Sequence, residues 1–317
     1  MKAIVIDPQS PQRLGFRTIE PPTPLATEAL IRVKAISLNR GEVVYRVHGE
    51  EETPLGWDLA GVVEEPAVEG PGPARGARVV GLLHSGAWAE RAAVPTHALA
   101  ELEPTVTYAQ AAALPTAGLT ALTAIEHGPS IIGRSVLVTG ASGGVGLMAC
   151  QLASLAGARV IGQVRQTSVV QLVQGAGAHH VVVDGSIEAT EPFGPYDLIV
   201  EQLGGQALAE AMTQLAPGGT CVSVGVSIGP AGYQVTVDMG RMRRAPGANL
   251  RILNLYQELE HETASAALKR LVRLVGNGKL TPHLGIEADW SEVGQVAQAL
   301  IDRRFQGKAV LHISDES

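Results

Sequence analysis

The chain has 317 residues, of which 45% are hydrophobic and 37 are glycine; this length predicts two domains. Its formal net charge of -7 disfavours nucleic acid or an anionic membrane as a partner, because such partners require a clustered basic surface. Cys150 and Cys221 are far apart in sequence, which excludes a disulfide framework and a zinc-ribbon spacing and favours a reducing cytoplasm. The N-terminus does not resemble a signal peptide, and no apolar run reaches the roughly 18 residues of a membrane helix. We therefore expect a soluble, cytoplasmic protein.

The pattern of predicted secondary structure changes once along the chain. Up to about Val94, short β-like runs such as EALIRVKAI and LAGVVEE are separated by proline and glycine, which predicts a largely antiparallel domain. From Tyr108 the sequence predicts helices, and then apolar strands alternate with helices, as is typical of a parallel sheet covered on both faces. A final strand, KAVLHI, follows two amphipathic helices. We expect this strand to return to the first domain.

The strongest local signal is the segment VLVTGASGGVG, which runs from a buried-type strand through glycines into a helix. Glycines let the backbone approach a pyrophosphate, and the free N–H groups and the helix dipole favour its negative charge. Ala141 replaces the usual first glycine of the G-x-G-x-x-G pattern, but the flanking strand and helix fit it. The alternative is a structural glycine turn in another α/β fold. The nucleotide contacts predicted here are Ser142, Gly143, Gly144, Val145 and Gly146.

The end of the second strand, ARVIGQV, bears on the choice of cofactor. An acidic side chain there accepts the ribose hydroxyls of NADH, whereas a basic one accommodates the 2′-phosphate of NADPH. The loop Gln163–Ser168 has no acid, and Arg165 is its cation. The sequence therefore favours NADPH, with the alternative that Arg165 is an ordinary solvated arginine.

The residues around the glycine turn resemble the zinc-independent quinone oxidoreductases of the medium-chain dehydrogenase/reductase superfamily. The matching blocks run through nearly the whole chain and are SLNRGEVVYR, GWDLAGVVE, GARVVGLLHSGAWAERAAVP, AAALPTAGLTAL, VLVTGASGGVGLMACQLA, YDLIVEQLGG, LAPGGTCVSVG and QGKAVLHI. The resemblance implies an α/β fold in which a Rossmann doubly wound parallel sheet joins a GroES-like, mainly antiparallel catalytic domain, with a cleft between them. The implied boundaries are 1–114 and 254–317 for the catalytic domain and 115–253 for the NADPH-binding domain.

Departures from the zinc-dependent members of the superfamily are informative as well. By resemblance, the catalytic metal ligands of those enzymes fall at or near Asn39, Trp57 and Thr116, none of which is a usual zinc ligand. The four-cysteine structural loop is also absent. The adjacent His179 and His180 are interpreted as packed or solvated residues. We therefore expect no metal.

The resemblance also implies which residues carry the chemistry. Asn39 is expected to border the nicotinamide and donate a hydrogen bond, and Tyr45 to supply or relay a proton. Tyr45 is equally compatible with a half-buried structural role, because the segment from Asn39 to Gly49 is one residue longer than the common family pattern. Glu42 either holds this loop or takes part in chemistry. Thr116 and Thr120 are expected beneath the cofactor, the alternative being helix capping or packing.

Further cofactor contacts are implied at the carboxyl ends of the later Rossmann strands, where ligands of doubly wound sheets bind. The predicted contacts there are Gln202, Leu203, Gly204, Val224, Gly225 and Val226. By resemblance, Leu253, Asn254 and Leu255 meet the carboxamide, and Arg303 either reaches the phosphates or is an exposed arginine at a helix end.

The sequence thus predicts an NADPH-dependent, zinc-free reductase that delivers hydride to a quinone or an activated alkene such as an enone. Two alternatives stay open, an enoyl reductase acting on a carrier-linked or CoA-linked substrate and a redox-inactive NADPH-binding protein. A homodimer is expected through the Rossmann sheet edge near Thr220 to Val226 and the segment up to Val237.

Overall fold

A computed structural model describes residues 1–225, 233–259 and 263–314. The chain forms two compact units, one of Met1–Leu119 with Leu259–Ser317 and one of Thr120–Glu258. The strands are β1 (Lys2–Ile6), β2 (Leu14–Thr18), β3 (Glu28–Leu38), β4 (Asp58–Glu65), β5 (Arg78–Leu82), β6 (Arg91–Pro95), β7 (Leu99–Glu101), β8 (Ser135–Val138), β9 (Arg159–Val164), β10 (His180–Val183), β11 (Tyr196–Glu201), β12 (Leu215–Ser223), β13 (Asn249–Ile252), β14 (Leu284–Asp289) and β15 (Lys308–His312).

The α-helices are α1 (Arg40–Val44), α2 (Tyr108–Ala112), α3 (Pro115–Glu126), α4 (Gly144–Leu155), α5 (Val170–Gly175), α6 (Gly205–Met212), α7 (Met239–Met242), α8 (Leu255–Glu258), α9 (Ala264–Gly276) and α10 (Val293–Ile301). Short 3₁₀ turns occupy Arg46–His48, Thr96–Ala98, Thr167–Val169, Glu188–Phe193 and Trp290–Glu292. In the part of the chain that is described, no helix is long and apolar enough to span a bilayer.

The first unit is built around β3. This strand pairs antiparallel with β4, β6 and β15 in a sheet ordered β14-β15-β3-β4-β5-β7, while β14 pairs parallel with β15. Ala309 of β15 lies opposite Leu38 of β3, so the last strand does return to the first unit. Trp88 is fully buried, and its indole Nε1 donates to the carbonyl oxygen of Ser37 at 3.2 Å.

The second unit is a parallel six-stranded sheet ordered β10-β9-β8-β11-β12-β13. Its central strands β8, β9, β11 and β12 are mainly apolar and buried, because both faces of such a sheet are covered. Leu137, Ile161 and Ile199 pack in one core cluster with Leu208 and Met212 of α6. This arrangement confirms the predicted combination of a Rossmann sheet with a mainly antiparallel domain.

Two details differ from the sequence-based expectation. The boundaries between the units fall at 119/120 and 258/259, a few residues beyond 114/115 and 253/254. At the second boundary, Glu258 Oε2 lies 2.9 Å from His127 Nε2, and both residues lie in the second unit. The expected edge at Thr220 to Val226 is incorrect, because β12 lies between β11 and β13, and β13 forms that edge of the sheet.

Candidate active site

The glycine turn lies at the carboxyl end of β8, where α4 begins. Gly140 has φ +57°, a conformation that glycine adopts without steric cost. Gly143 is the N-cap of α4 and provides no side-chain cap for the first N–H groups of this twelve-residue helix. A Cβ on Gly146 would come within 2.6 Å of the carbonyl oxygen of Gly140, so the close approach of helix and turn requires glycine there. Ser142, Gly144 and Val145 occupy the same turn and are partly accessible.

Gln163 fixes this turn from the neighbouring strand β9. It is buried, its Oε1 accepts from the backbone N of Gly140 at 3.1 Å, and its Nε2 donates to the carbonyl oxygen of Asp184 at 2.6 Å. Gln163 therefore has a structural role in the turn. Arg165, one residue beyond the end of β9, is exposed.

The loop after β11 is organised by a buried carboxylate. Glu201 Oε1 accepts from the backbone N of Leu203 at 2.7 Å and of Gly204 at 3.2 Å. Burial raises the pKa of Glu201, although these backbone donors oppose the shift. Gln202 Nε2 donates to the carbonyl oxygen of Thr139 at 2.5 Å, which joins this loop to the end of β8. The structure thus brings Gln202, Leu203 and Gly204 next to the strand that leads into the glycine turn.

The ends of the last two strands of this sheet also lie side by side. Val224 donates its backbone N to Glu201 O at 2.8 Å, and Leu253 donates to Ser223 O at 2.9 Å. Gly225 and Asn254 are exposed. The remaining predicted contacts are Leu255, which is buried at the start of α8, and Val226, which lies outside the described residues.

In the first unit, a buried polar cluster is centred on Asp58. Gly56 precedes it with φ +108°, and a Cβ there would be 2.4 Å from the backbone N of Trp88, so only glycine allows the chain to turn into β4 at this place. Asp58 Oδ2 accepts from Ser37 Oγ at 2.8 Å and Asn39 Nδ2 at 2.9 Å. Asp58 Oδ1 accepts from Thr116 Oγ1 at 2.5 Å. The cluster thus joins β3, β4 and the start of α3.

Lys308 supplies the positive charge of this cluster. Its side chain is 4% exposed, and its Nζ lies 3.3 Å from Asp58 Oδ2. The ammonium also donates to Asn39 Oδ1 at 2.5 Å and to the carbonyl oxygen of Leu38 at 3.1 Å. A buried carboxylate is stable only with such pairing, because an unpaired charge loses its hydration on burial.

Glu42, in α1, is the second carboxyl group of the cluster. Its Oε2 accepts from the backbone N and the Nδ2 of Asn39 at 2.8 and 2.9 Å, and its Oε1 accepts from the backbone N of Trp57 at 2.7 Å. Burial and then the nearby Asp58 charge raise the pKa of Glu42 to about 8, against the opposing effects of Asn39 and Lys308. A carboxyl group that retains its proton near neutrality limits the net negative charge of the buried cluster.

The remaining predicted residues lie outside this cluster. Tyr45 follows α1 and has 38% of its surface exposed. Thr120 is buried within α3, in the second unit. Arg303 is exposed just after α10, with φ +57°. Among the described residues, no group of three or more His, Cys, Asp and Glu side chains is arranged to hold a metal ion.

Comparisons with known proteins identify the family of this chain. A family model described as zinc-binding dehydrogenase matches residues 144–269. The human quinone oxidoreductase is 32% identical over 240 residues, which cover 71% of this chain and 73% of that protein. The chain belongs to the quinone oxidoreductase family of medium-chain dehydrogenases/reductases.

This quinone oxidoreductase family member is also similar to a solved bacterial structure and to part of a polyketide synthase. The quinone oxidoreductase from Thermus thermophilus, whose crystal structures include a complex with NADPH, aligns with a TM-score of 0.82 and 28% identity, over 99% of this chain and all of that one. A mycocerosic acid synthase-like polyketide synthase of Mycobacterium tuberculosis is 30% identical over 241 residues, which are 71% of this chain and 11% of that protein.

Asp58 and Lys308 are candidate functional residues that the sequence did not predict. Each signal was local and weak: an acid at the start of the apolar strand DLAGVV, and a lysine at the start of the apolar strand KAVLH. A charged residue at the end of a buried strand indicates a partner elsewhere. Only the pairing of β3 with β4 and β15 identifies that partner.

Proposed function

We propose that this protein is an NADPH-dependent, zinc-free oxidoreductase that transfers hydride to a quinone or to an activated alkene such as an enone. The observation that carries the proposal is the glycine turn at the start of α4, with its Gly143 N-cap and the close approach of Gly146 to Gly140. Together with family membership, this turn supports binding of a dinucleotide pyrophosphate.

The cofactor would be held by residues of the second unit. The uncapped N–H groups of Gly144 and Val145 are suited to the pyrophosphate, while the exposed Arg165 is suited to a 2′-phosphate. When bound, NADPH supplies the hydride. The loop around Gln202 and the ends of β12 and β13 would line the rest of the cofactor. The crystallised NADPH complex of the Thermus thermophilus relative supports this choice.

The first unit would supply the residues that contact the nicotinamide or the substrate and deliver a proton. We assign Asn39 and Thr116 to contacts with the nicotinamide or the substrate, and the Tyr45 phenol to proton delivery. Arg303 and Thr120 remain proposed cofactor contacts.

The zinc-free character is supported by the charge already present in the cluster. The Lys308 ammonium donates to Asn39 Oδ1 and lies 3.3 Å from Asp58 Oδ2. A divalent cation at this place would have to displace or approach a buried positive charge, which is electrostatically unfavourable. The family model described as zinc-binding dehydrogenase matches 144–269, a stretch that contains none of Asn39, Trp57 and Thr116.

The second candidate is a carrier-linked enoyl reductase, for which the similarity to part of a polyketide synthase is the supporting observation. One experiment separates the two. Purified enzyme is given NADPH or NADH with a panel of quinones, enones and enoyl thioesters, and cofactor oxidation is followed. Higher kcat/KM on quinones or enones with NADPH supports the first proposal, whereas preference for enoyl thioesters supports the second. Binding of NADPH without turnover of any acceptor would identify a redox-inactive binding protein.

A homodimer is also proposed, through the edge strand β13. All four of its residues are exposed, with Leu250 at 45% and Ile252 at 70%. An edge strand with apolar side chains and unpaired backbone groups is suited to pairing with another chain. This surface replaces the sequence-based expectation of an interface at β12.

A further inference from the structure

The hydrogen-bond donors of Asn39 and Thr116 are consumed inside the protein. Asn39 Nδ2 carries two hydrogens, and the two oxygens within reach are Glu42 Oε2 and Asp58 Oδ2, each at 2.9 Å. Thr116 has one hydroxyl hydrogen, and Oγ1 lies 2.5 Å from Asp58 Oδ1. Since an amide has two N–H donors and a hydroxyl has one, neither side chain retains a donor for a ligand.

The orientation of the Asn39 amide follows from the charges around it. Lys308 Nζ lies 2.5 Å from Asn39 Oδ1 and donates to it. A reversed amide would direct N–H groups at the ammonium and its oxygen at the carboxyl groups of Glu42 and Asp58. Such a reversal would replace the hydrogen bonds to Lys308 and Asp58 by repulsive contacts.

The lysine that sets this orientation is itself held firmly. It is 4% exposed and is bound by the carbonyl oxygen of Leu38 and by Asp58, while the Thr116 backbone N also donates to Asp58, at 3.0 Å. Asp58 and Glu42 are completely buried. Buried, fully paired networks of this kind are stiff because each broken bond leaves an unsatisfied group.

We propose that Asn39 Oδ1 and Thr116 Oγ1 form an acceptor-only pair that receives an N–H or O–H group of the ligand, with Asp58 and Lys308 as the positioning residues that set this polarity. The proposal rests on the reductase function proposed above. Both side chains are partly accessible, and each oxygen keeps lone-pair capacity beyond its present bond.

The chemical consequence is that these two residues do not stabilise an oxyanion. An enolate or quinol oxyanion requires donors, and the pair provides acceptors. In the proposed reaction, two groups bear a suitable donor: the carboxamide N–H of the cofactor and the hydroxyl of a hydroquinone product. This assignment differs from the donor role that the sequence predicts for Asn39.

The first arm of the test examines the carboxamide. Dissociation constants are measured for NADPH and for its reduced 3-acetylpyridine analogue, in which a methyl group replaces the amide nitrogen. If the pair receives the carboxamide, the wild type binds NADPH more tightly than the analogue. Thr116→Val should reduce this preference about threefold to tenfold, the effect of one lost hydrogen bond, while Thr116→Ser, which keeps the hydroxyl, should retain it.

The second arm examines the product. Inhibition constants are measured for a benzohydroquinone and for its dimethyl ether with the same three proteins. A preference for the hydroquinone that Thr116→Val abolishes and Thr116→Ser keeps assigns the donor to the product. If both preferences are absent from the wild type, or both survive in Thr116→Val, the acceptor pair does not exist and the proposal is overturned.

Lys308→Met tests the positioning role. It should bring the two dissociation constants, or the two inhibition constants, closer together, because the Asn39 oxygen then loses the ammonium that holds it and Asp58 alone opposes reversal of the amide. A purely structural role would weaken both ligands alike and leave their ratio unchanged. If this variant fails to fold, Thr116→Val still decides the proposal. Failure of the proposed function has a different signature: wild type that binds neither NADPH nor its analogue.

Discussion

Arg165 follows β9 on the exposed surface of the second unit, at the place where nucleotide-binding sheets distinguish their cofactors. Gln163, in β9, uses its side-chain amide to bond the glycine turn and the carbonyl oxygen of Asp184. At the scale of single residues, we therefore propose that the Arg165 guanidinium determines the choice between NADPH and NADH.

Replacing Arg165 with alanine should weaken NADPH binding and leave NADH binding nearly unchanged. A charge-assisted contact to the 2′-phosphate is worth roughly 1.5–3 kcal/mol, or about one to two decades in affinity. Fluorescence titration with both cofactors measures the effect. Arg134→Ala is the control, since Arg134 is an exposed arginine that precedes β8 and pairs with Asp197. Equal loss for both cofactors would show that Arg165 does not recognise the phosphate.

Glu42 should make the stability of the protein depend on pH. Its pKa is raised from 4.5 to about 8 in the folded protein by burial and by Asp58, so the folded state binds the extra proton between those values. The stabilisation is fully present below about pH 4.5 and decreases as pH rises through about 8, by up to about 1.4 kcal/mol per pH unit. Thermal unfolding midpoints should fall across this window. Glu42→Gln should flatten that trend, and an unaltered trend in the variant would assign it to other groups.

At the scale of elements, the turn between β8 and α4 offers two glycines with different constraints. A Cβ on Gly143 would meet only the carbonyl oxygen of Gly140, at an ordinary 3.5 Å, whereas on Gly146 it would lie 2.6 Å from that oxygen. The first position is limited by what binds in the turn, and the second by packing within the turn.

Gly143→Ala is therefore expected to keep the unfolding midpoint of the wild type and to lose NADPH affinity. A methyl group in the space proposed for the pyrophosphate should cost about 1–3 kcal/mol, or roughly fivefold to 150-fold. Gly146→Ala should lose both stability and affinity. Calorimetric unfolding and NADPH titration of the two variants provide the comparison, and full affinity in Gly143→Ala would contradict the proposed position of the pyrophosphate.

At the scale of the whole molecule, assembly should depend on β13. Light scattering should report a homodimer, and Ile252→Lys should shift it to monomer because a charge is then buried at the contact. Leu25→Lys is the matched control, since Leu25 is 68% exposed and lies in the first unit. A wild-type monomer at working concentration, or a dimer unaffected by Ile252→Lys, would count against this surface.

Metal content is the second property of the whole molecule that can be measured directly. We expect no stoichiometric zinc by elemental analysis and unchanged activity in chelator, because an ammonium and an amide occupy the centre of the Asp58 cluster. One tightly bound zinc per chain, lost together with activity, would contradict this expectation.

The features that the sequence by itself determined depend on residues that are contiguous in the chain. The glycine turn at 140–146 could be recognised because its strand, glycines and helix follow one another within one segment, and Gly140 and Gly146 have local steric reasons. The alternation of apolar strands and helices likewise predicted the parallel sheet that is observed. Local periodicity suffices for such features because it reflects which faces are buried.

The tertiary structure decided what depends on residues distant in the chain. Lys308 meets Asp58 across 250 positions, and nothing near either residue specifies the partner. The edge strand β13 has only four residues, too few for their alternation of polar and apolar side chains to identify a strand, whereas the β-like sequence YQVTVDM at Tyr233 to Met239 forms none. The resemblance implied a donor role for Asn39, but an amide is both a donor and an acceptor, and only the buried charges around it orient its amide in the structure.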